Sequence, residues 1–225
     1  MLLLIDDANL KLIEEINNIY PCDGVTTNPS ILKKQGKNPI KLLKEIRNFL
    51  PENAQLHAQV ISTTPNEMLK EANHLRKNLG ENTYIKVPVT EAGIEAMKLM
   101  KKEKINITAT AIYSPMQAYL AAKAGAKYTA PYVNRLDNMG TDGVEIAKQI
   151  HEIFVKHDFY TDVLAASFKN SRQISELCKY GIGAVTAAPD IIKALLANEA
   201  TKSAVNVFNE DFYELANGKK TMLDF

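Results

Sequence analysis

The sequence predicts an α/β protein built as a parallel (β/α)8 barrel, a TIM barrel, with one additional helix near its carboxyl end. Short β-like runs alternate with amphipathic helical segments along the whole chain. We count eight such runs, whereas a doubly wound open sheet more often has about five or six strands. No linker, low-complexity tract or shift in composition divides residues 1–225, so we expect a single domain.

The predicted strands are short segments rich in apolar and β-branched residues. They cover residues 2–6, 24–28, 55–61, 84–89, 106–112, 128–133, 162–167 and 184–188. Two of the intervening helices have explicit start signals, TPNE at residues 64–67 and SPMQ at residues 114–117. Each combines an N-cap hydroxyl, proline at the first helical position and Glu or Gln at the third. Gly80, Gly125 and Gly181 follow helical patterns and precede strands, as helix-terminating glycines do.

The last predicted helix covers about residues 201–216. It has more apolar residues than a solvated tail needs: Val205, Val207, Phe208, Phe212, Tyr213 and Leu215. We therefore expect this helix to pack on its own barrel or on a neighbouring subunit.

Composition excludes several classes of partner. The 27 basic and 26 acidic residues nearly cancel, so no global field favours nucleic acid or an anionic membrane surface. Cys22 and Cys178 have no metal-ligand spacing and fit a reducing compartment. The first residues form a strand without a basic leader, and no apolar stretch approaches the roughly 18 residues that span a bilayer. We expect a soluble, cytoplasmic protein.

Lys86 lies within the apolar run YIKVPV at residues 84–89, which otherwise has the composition of a fully buried strand. Burial can lower the pKa of an ammonium group by up to ~3 to 5 units. A desolvated lysine is partly a free amine at neutral pH, and it can attack a carbonyl to form a Schiff base. The alternative is a lysine at a strand end whose amino group reaches solvent.

The barrel prediction makes the other strand ends informative, because polar residues at the carboxyl ends of barrel strands face the active-site mouth. Such residues occur at seven of the predicted ends: Asp6; Thr26, Thr27, Asn28 and Ser30; Gln59; Lys86; Thr108 and Thr110; Tyr132, Asn134 and Arg135; and Ser167. Their convergence would distinguish a site from scattered polar residues.

Each candidate also has a structural alternative. Asp6 could shuttle protons or cap the following helix, and residues 27–30 could be a loop turned by Pro29. Gln59 and Thr110 could be hydrogen-bonded residues of the barrel interior, and Tyr132 a core aromatic. Arg135 and Ser167 could belong to surface loops, although an arginine fork beside a hydroxyl also suits a phosphate.

The sequence offers no obvious metal or cofactor site. His57 has no carboxylate or second histidine at ligand spacing, and we interpret it as structural. We find no glycine-rich phosphate loop and no Ser-His-Asp arrangement. Cofactor-free chemistry through a lysine remains.

Four motifs resemble the transaldolase family, and within it the small subfamily that includes the fructose-6-phosphate aldolases. They are GVTTNPS at residues 24–30, KVPVT at 86–90, APYVNRLD at 130–137 and AASFK at 165–169. The resemblance implies that Lys86 is the Schiff-base nucleophile and that Asp6 and Asn28, beside Thr27, contact the substrate. It also implies that Arg135 and Ser167 hold a phosphate, that no metal is used, and that the subunits form a pentamer or decamer through their carboxy-terminal helices.

Two positions resemble the aldolases rather than the transaldolases, which have glutamate in place of Gln59 and phenylalanine in place of Tyr132. The Tyr132 hydroxyl, with Gln59 and Thr110, could position a water and protonate an enamine, which phenylalanine cannot do. The expected activity is class I aldolase cleavage of fructose 6-phosphate into dihydroxyacetone and glyceraldehyde 3-phosphate. The alternatives are a transaldolase that passes the dihydroxyacetone unit to erythrose 4-phosphate, and a protein that binds sugar phosphates without turnover.

Overall fold

The computed structural model describes residues 1–218 and 220–225. Eight parallel strands form a closed barrel in which each strand pairs with the next in sequence and β8 pairs with β1. The strands are β1 (Leu2–Asp6), β2 (Gly24–Thr26), β3 (Gln55–Gln59), β4 (Thr83–Pro88), β5 (Asn106–Ile112), β6 (Tyr128–Pro131), β7 (Asp162–Ala165) and β8 (Ala184–Ala187). The predicted (β/α)8 barrel is confirmed.

Helices follow every strand and surround the barrel. They are α1 (Leu10–Ile19), α2 (Pro29–Gln35), α3 (Pro39–Phe49), α4 (Pro65–Leu79), α5 (Glu91–Lys102), α6 (Pro115–Ala124), α7 (Val133–Asp137), α8 (Gly143–Lys156), α9 (Ser171–Tyr180), α10 (Pro189–Leu196) and α11 (Glu199–Leu215). A short 3₁₀ turn, Met222–Asp224, follows α11. Within the described residues, no helix is long and apolar enough to cross a membrane.

The core has two parts because alternate strand residues face opposite sides of the barrel wall. Outward residues such as Ile5, Val25 and Ile85 pack beneath the helices in one large apolar cluster. A smaller interior cluster includes Leu4, Tyr84, Tyr128, Leu164 and Ala184.

Several predicted strands end earlier than expected, because the polar residues at their ends begin the next helix or turn. Asn28 is the N-cap of α2, and its Oδ1 accepts a hydrogen bond from the Ile31 N–H at 2.9 Å. Val133 begins α7, and Tyr132, the residue between β6 and this helix, occupies the N-cap position. Ser167 leaves the extended conformation altogether, with φ of 63°. Pro29, interpreted above as a possible turn former, instead opens a helix.

The predicted helix signals are only partly confirmed. Ser114 and Gln117 form the expected capping box. Thr64 occupies the N-cap position of α4 but its side chain makes no bond to the backbone, and its hydroxyl donates to Glu67 Oε2 at 2.6 Å. Gly80, Gly125 and Gly181 all end helices with positive φ. Asp6 does not cap α1, whose N-cap is Asn9.

Candidate active site

Lys86 is the fourth of the six residues of β4, in the carboxyl half of the strand, and it lies between Gln59 of β3 and Thr108 of β5 in the strand register. Its side chain is buried, with 5% of the residue exposed, and its Nζ donates a hydrogen bond to the carbonyl oxygen of Thr27 at 2.9 Å. The amino group therefore does not reach solvent as the alternative interpretation required. Burial lowers the pKa of Lys86, and the nearby Asp6 carboxylate opposes that shift.

The end of β4 is held by the first turn of α5. A Cβ on Gly93 would lie 1.9 Å from the Pro88 carbonyl oxygen, so only glycine allows the helix to approach the strand this closely. The Thr90 hydroxyl caps the same turn by accepting from the Gly93 N–H at 3.0 Å. The KVPVT segment thus places Lys86 on a tightly packed, capped strand end.

Asp6 ends β1 and is partly buried. Its Oδ1 accepts a hydrogen bond from Thr26 Oγ1 at 2.7 Å, and Thr26 Oγ1 lies 2.6 Å from Thr186 Oγ1. Burial raises the pKa of Asp6, while Lys86 and the Thr26 hydroxyl lower it. Within the described residues, Asp6 and Lys86 interact electrostatically without a direct ion pair.

Thr27 and Asn28 contribute chiefly through backbone geometry. The Thr27 hydroxyl donates to the His57 carbonyl oxygen at 2.9 Å, and the carbonyl oxygen of Thr27 accepts the hydrogen bond from Lys86 Nζ. Asn28 uses its side-chain oxygen as a helix cap, and among the described residues its amide NH2 group has no acceptor, so it can donate to a ligand.

Tyr132 and Thr110 form the hydroxyl pair that the sequence predicted, with 2.8 Å between Tyr132 Oη and Thr110 Oγ1. Gln59 lies in register with Lys86. Among the described residues, however, its amide makes no hydrogen bond to either hydroxyl. The structure therefore brings together two members of the expected trio, and places the third nearby on the neighbouring strand.

Arg135 and Ser167 are brought to adjacent segments. The backbone N–H of Asn134 donates to the Ser167 carbonyl oxygen at 2.7 Å. Arg135 is exposed, and its Cζ lies 4.5 Å from the centre of the Tyr132 ring. This arrangement leaves most of the guanidinium donors available to an anion at the mouth.

Sequence reasoning missed Tyr113, which follows β5. Its hydroxyl accepts from Arg135 Nη1 at 3.4 Å, and its ring meets that of Tyr132 edge-on with centres 5.6 Å apart. Its position one residue beyond a strand that carries Thr110 was the available signal.

His57 is fully buried, as expected of a structural residue. Its Nδ1 lies 2.9 Å from Thr108 Oγ1 and its Nε2 lies 3.0 Å from Gln55 Oε1, while its ring stacks on Tyr84 at 4.6 Å. Burial holds the pKa of His57 well below its usual value, and Lys86 adds to that effect. Within the described part of the chain, no group of three or more His, Cys, Asp or Glu side chains is placed to hold a metal ion.

A closed barrel with a desolvated lysine and a carboxylate at its mouth is the arrangement of an enzyme that acts on carbonyl compounds through an amine. Comparison with known proteins gives the family. The profile of the transaldolase/fructose-6-phosphate aldolase family matches residues 3–224, and the chain belongs to that family.

The similar proteins have two different names. A probable fructose-6-phosphate aldolase of Streptococcus pneumoniae is 38% identical over 217 residues, which cover 96% of this chain and 98% of that protein. A probable transaldolase of Paracoccus denitrificans is 35% identical over 212 residues, covering 94% of this chain and 96% of that protein. A probable transaldolase of Cereibacter sphaeroides is also 35% identical, with 94% and 95% covered.

Proposed function

We propose that this protein is a class I aldolase that reversibly cleaves fructose 6-phosphate into dihydroxyacetone and glyceraldehyde 3-phosphate. The observation that carries the proposal is the buried Lys86 amino group, whose pKa burial lowers, at the mouth of a barrel of this family. A free amine at neutral pH is the form that attacks a ketone.

The proposed reaction begins at the substrate carbonyl. Lys86 attacks C2, and loss of water leaves an imine whose protonated form withdraws electrons from the C3–C4 bond. Asp6 takes the proton of the C4 hydroxyl as that bond breaks, which releases glyceraldehyde 3-phosphate and leaves a three-carbon enamine on Lys86. Protonation of the enamine carbon followed by addition of water releases dihydroxyacetone and restores the amine.

Tyr132 favours the aldolase over the transferase. Its hydroxyl, which lies 2.8 Å from Thr110 Oγ1, donates the proton to the enamine carbon, and Gln59 helps to position the water. In the second candidate function, a transaldolase, the same enamine waits for erythrose 4-phosphate and yields sedoheptulose 7-phosphate. This second candidate is supported by the names of the relatives from Paracoccus denitrificans and Cereibacter sphaeroides, both probable transaldolases.

The phosphate of the substrate is assigned to Arg135 and Ser167, whose segments are joined by the hydrogen bond between Asn134 and Ser167. Asn28 is assigned to the substrate hydroxyls, to which its side-chain amide NH2 donates while its Oδ1 caps α2, and Thr27 lies beside it. This mechanism uses no metal and no cofactor.

The deciding experiment measures release of glyceraldehyde 3-phosphate from fructose 6-phosphate, with and without erythrose 4-phosphate. Release without the acceptor supports the aldolase. Release that requires the acceptor and produces sedoheptulose 7-phosphate supports the transaldolase. No release under either condition, with binding of the sugar phosphate retained, would support a protein that binds without turnover.

Borohydride trapping tests the nucleophile separately. Reduction in the presence of fructose 6-phosphate should leave an adduct on Lys86 and none in Lys86→Met. Lys98→Met is the matched control, because Lys98 is an exposed lysine on the adjacent α5. Adduct formation in Lys86→Met would refute the assignment.

We also propose that the protein is a homo-oligomer in which α11 packs on a second copy. No residue of α11 is buried, although Val205, Phe208, Phe212 and Leu215 fall on one side of the helix.

A groove of about 600 Å³ beside the mouth offers a matching surface. Apolar residues line it, among them Leu32, Ile40, Leu43, Ile61 and Leu75, and Lys33, Lys37 and Lys70 border it. Those lysines complement the acidic residues of α11: Glu199, Glu210, Asp211 and Glu214.

A cytoplasmic location agrees with the state of the thiols, since Cys22 and Cys178 are both free.

A further inference from the structure

Tyr113 follows a strained point in the backbone. Ala111 has φ of 60°, a conformation that residues with a Cβ rarely adopt, and it lies where the pairing of β5 with β6 shifts register between Ala109 and Ile112. Such strain persists only where the surroundings determine the conformation, and it occurs preferentially at functional sites.

The backbone is held on both sides of Ala111. The Thr110 carbonyl accepts from the Val89 N–H at 3.0 Å, and the Ile112 carbonyl accepts from the Tyr132 N–H at 3.3 Å. The Tyr113 N–H donates to Gln117 Oε1 at 2.8 Å, as part of the cap of α6. The place of the Tyr113 side chain is therefore set by β4, β6 and α6 together.

Tyr113 contacts two candidate site residues through two different groups. Its hydroxyl accepts from Arg135 Nη1 at 3.4 Å, and its ring lies at 86° to the Tyr132 ring with centres 5.6 Å apart. Arg135 in turn covers the Tyr132 ring, with Cζ 4.5 Å from its centre. The three side chains form one contiguous set, and the Tyr132 hydroxyl at its end meets Thr110.

This set connects the anion-binding residue to the proton donor. A guanidinium has five N–H donors, and within the described residues only one of those of Arg135 bonds to the protein. The bond to Tyr113 fixes the orientation of the plane while leaving the other donors to a phosphate. It also raises the pKa of Arg135, so the cation is maintained.

We propose that Tyr113 is a positioning residue that orients Arg135 for the substrate phosphate through its hydroxyl and orients Tyr132 for proton delivery through its ring. The inference rests on the proposed function for the roles of Arg135 and Tyr132. The hydroxyl of Tyr113 thereby serves phosphate recognition, and its ring serves proton delivery.

Two substitutions separate the groups. Tyr113→Phe removes the hydroxyl and keeps the ring, whereas Tyr113→Leu removes both. Tyr119→Phe is the matched control, because Tyr119 is a partly buried tyrosine on α6 that packs on His157 and Phe159. Affinity for glycerol 3-phosphate, measured by calorimetry, reports the phosphate site without any turnover.

For Tyr113→Phe we expect glycerol 3-phosphate affinity to fall about 3- to 10-fold, the usual effect of one hydrogen bond. KM for fructose 6-phosphate should rise similarly, with kcat unchanged. For Tyr113→Leu we expect the same loss of affinity together with a lower kcat for cleavage. Tyr119→Phe should change none of these values.

Unchanged glycerol 3-phosphate affinity in Tyr113→Phe would overturn the inference, as would failure of the wild-type protein to bind this ligand. Equal loss of kcat and affinity in Tyr113→Phe would also overturn it, because the ring contact remains in that variant. Weaker binding by Tyr113→Phe in a protein that cleaves no ketose phosphate would refute the proposed reaction and support the phosphate-positioning role.

Discussion

Lys86 and Asp6 are two ionisable residues whose pKa values burial moves towards each other. Desolvation lowers the pKa of the ammonium group and raises that of the carboxyl group. Proton transfer between groups costs least when their pKa values are close. The pair is therefore better suited to exchange protons with a bound substrate than the same two residues would be at the surface.

Asp6→Asn tests this coupling. The asparagine oxygen can still accept from Thr26, but the negative charge that raises the pKa of Lys86 is lost. The Lys86 amine should then lose its proton at a lower pH. The yield of the borohydride-trapped adduct with fructose 6-phosphate, plotted against pH, should therefore begin to rise at a lower pH than in the wild type. Turnover should fall roughly 10²- to 10⁴-fold through loss of the proton acceptor.

Asp158→Asn is the control for this change, since Asp158 is an exposed carboxylate between α8 and β7. An Asp6→Asn profile that coincides with the wild-type profile would show that the carboxylate does not act on Lys86.

Tyr132→Phe tests which fate the enamine takes. Loss of the hydroxyl should lower cleavage of fructose 6-phosphate by roughly 10²-fold or more, the range for a missing general acid. Transfer to erythrose 4-phosphate should rise relative to cleavage, because the enamine survives longer. Tyr128→Phe, at the start of the β6 strand that precedes Tyr132 and bonded to Gln55, should leave the partition unchanged. Unchanged partitioning in Tyr132→Phe would remove the main support for the aldolase.

At the scale of the elements, Asn28 combines a structural and a proposed binding role. Its oxygen caps α2 while its amide NH2 faces no protein acceptor among the described residues. Asn28→Ala should lower the free energy of unfolding by about 1 kcal/mol through loss of the cap, and Asn28→Ser should preserve most of it. Both should raise KM for fructose 6-phosphate. Urea unfolding and steady-state kinetics separate the two effects, and equal stability of the two variants would show that the cap is unimportant.

His57 shows how β3 and β5 tolerate polar groups inside the barrel. Thr108 and Gln55 occupy both ring nitrogens, so the neutral imidazole is fully bonded. Because burial lowers the pKa of His57 in the folded state, the unfolded chain binds a proton more readily as the pH falls below about 6.5. Folding stability contributed by neutral His57 is therefore present above that pH and lost below it.

His57→Phe should remove this dependence. Between pH 7 and 5 the wild-type free energy of unfolding should fall by up to ~1.4 kcal/mol per pH unit from this residue alone, and the variant should lack that slope. At pH 7 the variant should be less stable by about 1–3 kcal/mol, because Thr108 and Gln55 lose a buried partner. His74→Phe, at an exposed position on α4, should retain the slope. A parallel dependence in wild type and His57→Phe would mean that His57 binds a proton as readily in the folded protein as in the unfolded chain.

At the scale of the whole molecule, α11 departs from the rest of the structure. The other long helices bury a face against the barrel, whereas this 17-residue helix leaves Phe208 67% and Leu215 80% exposed. Exposed apolar surface of this extent is characteristic of interaction sites. A second copy that covered it would also place protein beside the mouth of the barrel, where the groove lies.

Phe208→Asp tests the assembly. A charge on the apolar side of α11 should reduce the molecular mass measured by sedimentation at low micromolar concentration, because burying an unpaired carboxylate is costly. Tyr160→Asp is the control, since Tyr160 is a 96% exposed aromatic outside α11. A wild-type protein that sediments as a monomer, or a Phe208→Asp variant that assembles normally, would contradict the proposed packing.

Local patterns in the sequence are enough to predict the order and type of the elements and the strand ends that carry polar residues. Alternation of apolar runs, helix caps and terminating glycines are local signals, and they placed all eight strands within a few residues of their observed bounds. Family motifs spanning residues 24–169 likewise depend only on the order of residues. The predicted strands extended too far at Asn28 and Ser167. There the strand pairing ends because Asn28 caps the next helix and Ser167 adopts a left-handed conformation.

Which of these residues touch one another is a property of the tertiary structure. It joined Tyr132 to Thr110, left Gln59 without a bond to either within the described residues, and added Tyr113 as the partner of Arg135. It also showed that Lys86 is desolvated and that α11 buries no residue against the barrel of its own chain. These outcomes depend on register between distant strands, on side-chain rotamers and on burial by residues far apart in sequence, none of which a local pattern encodes.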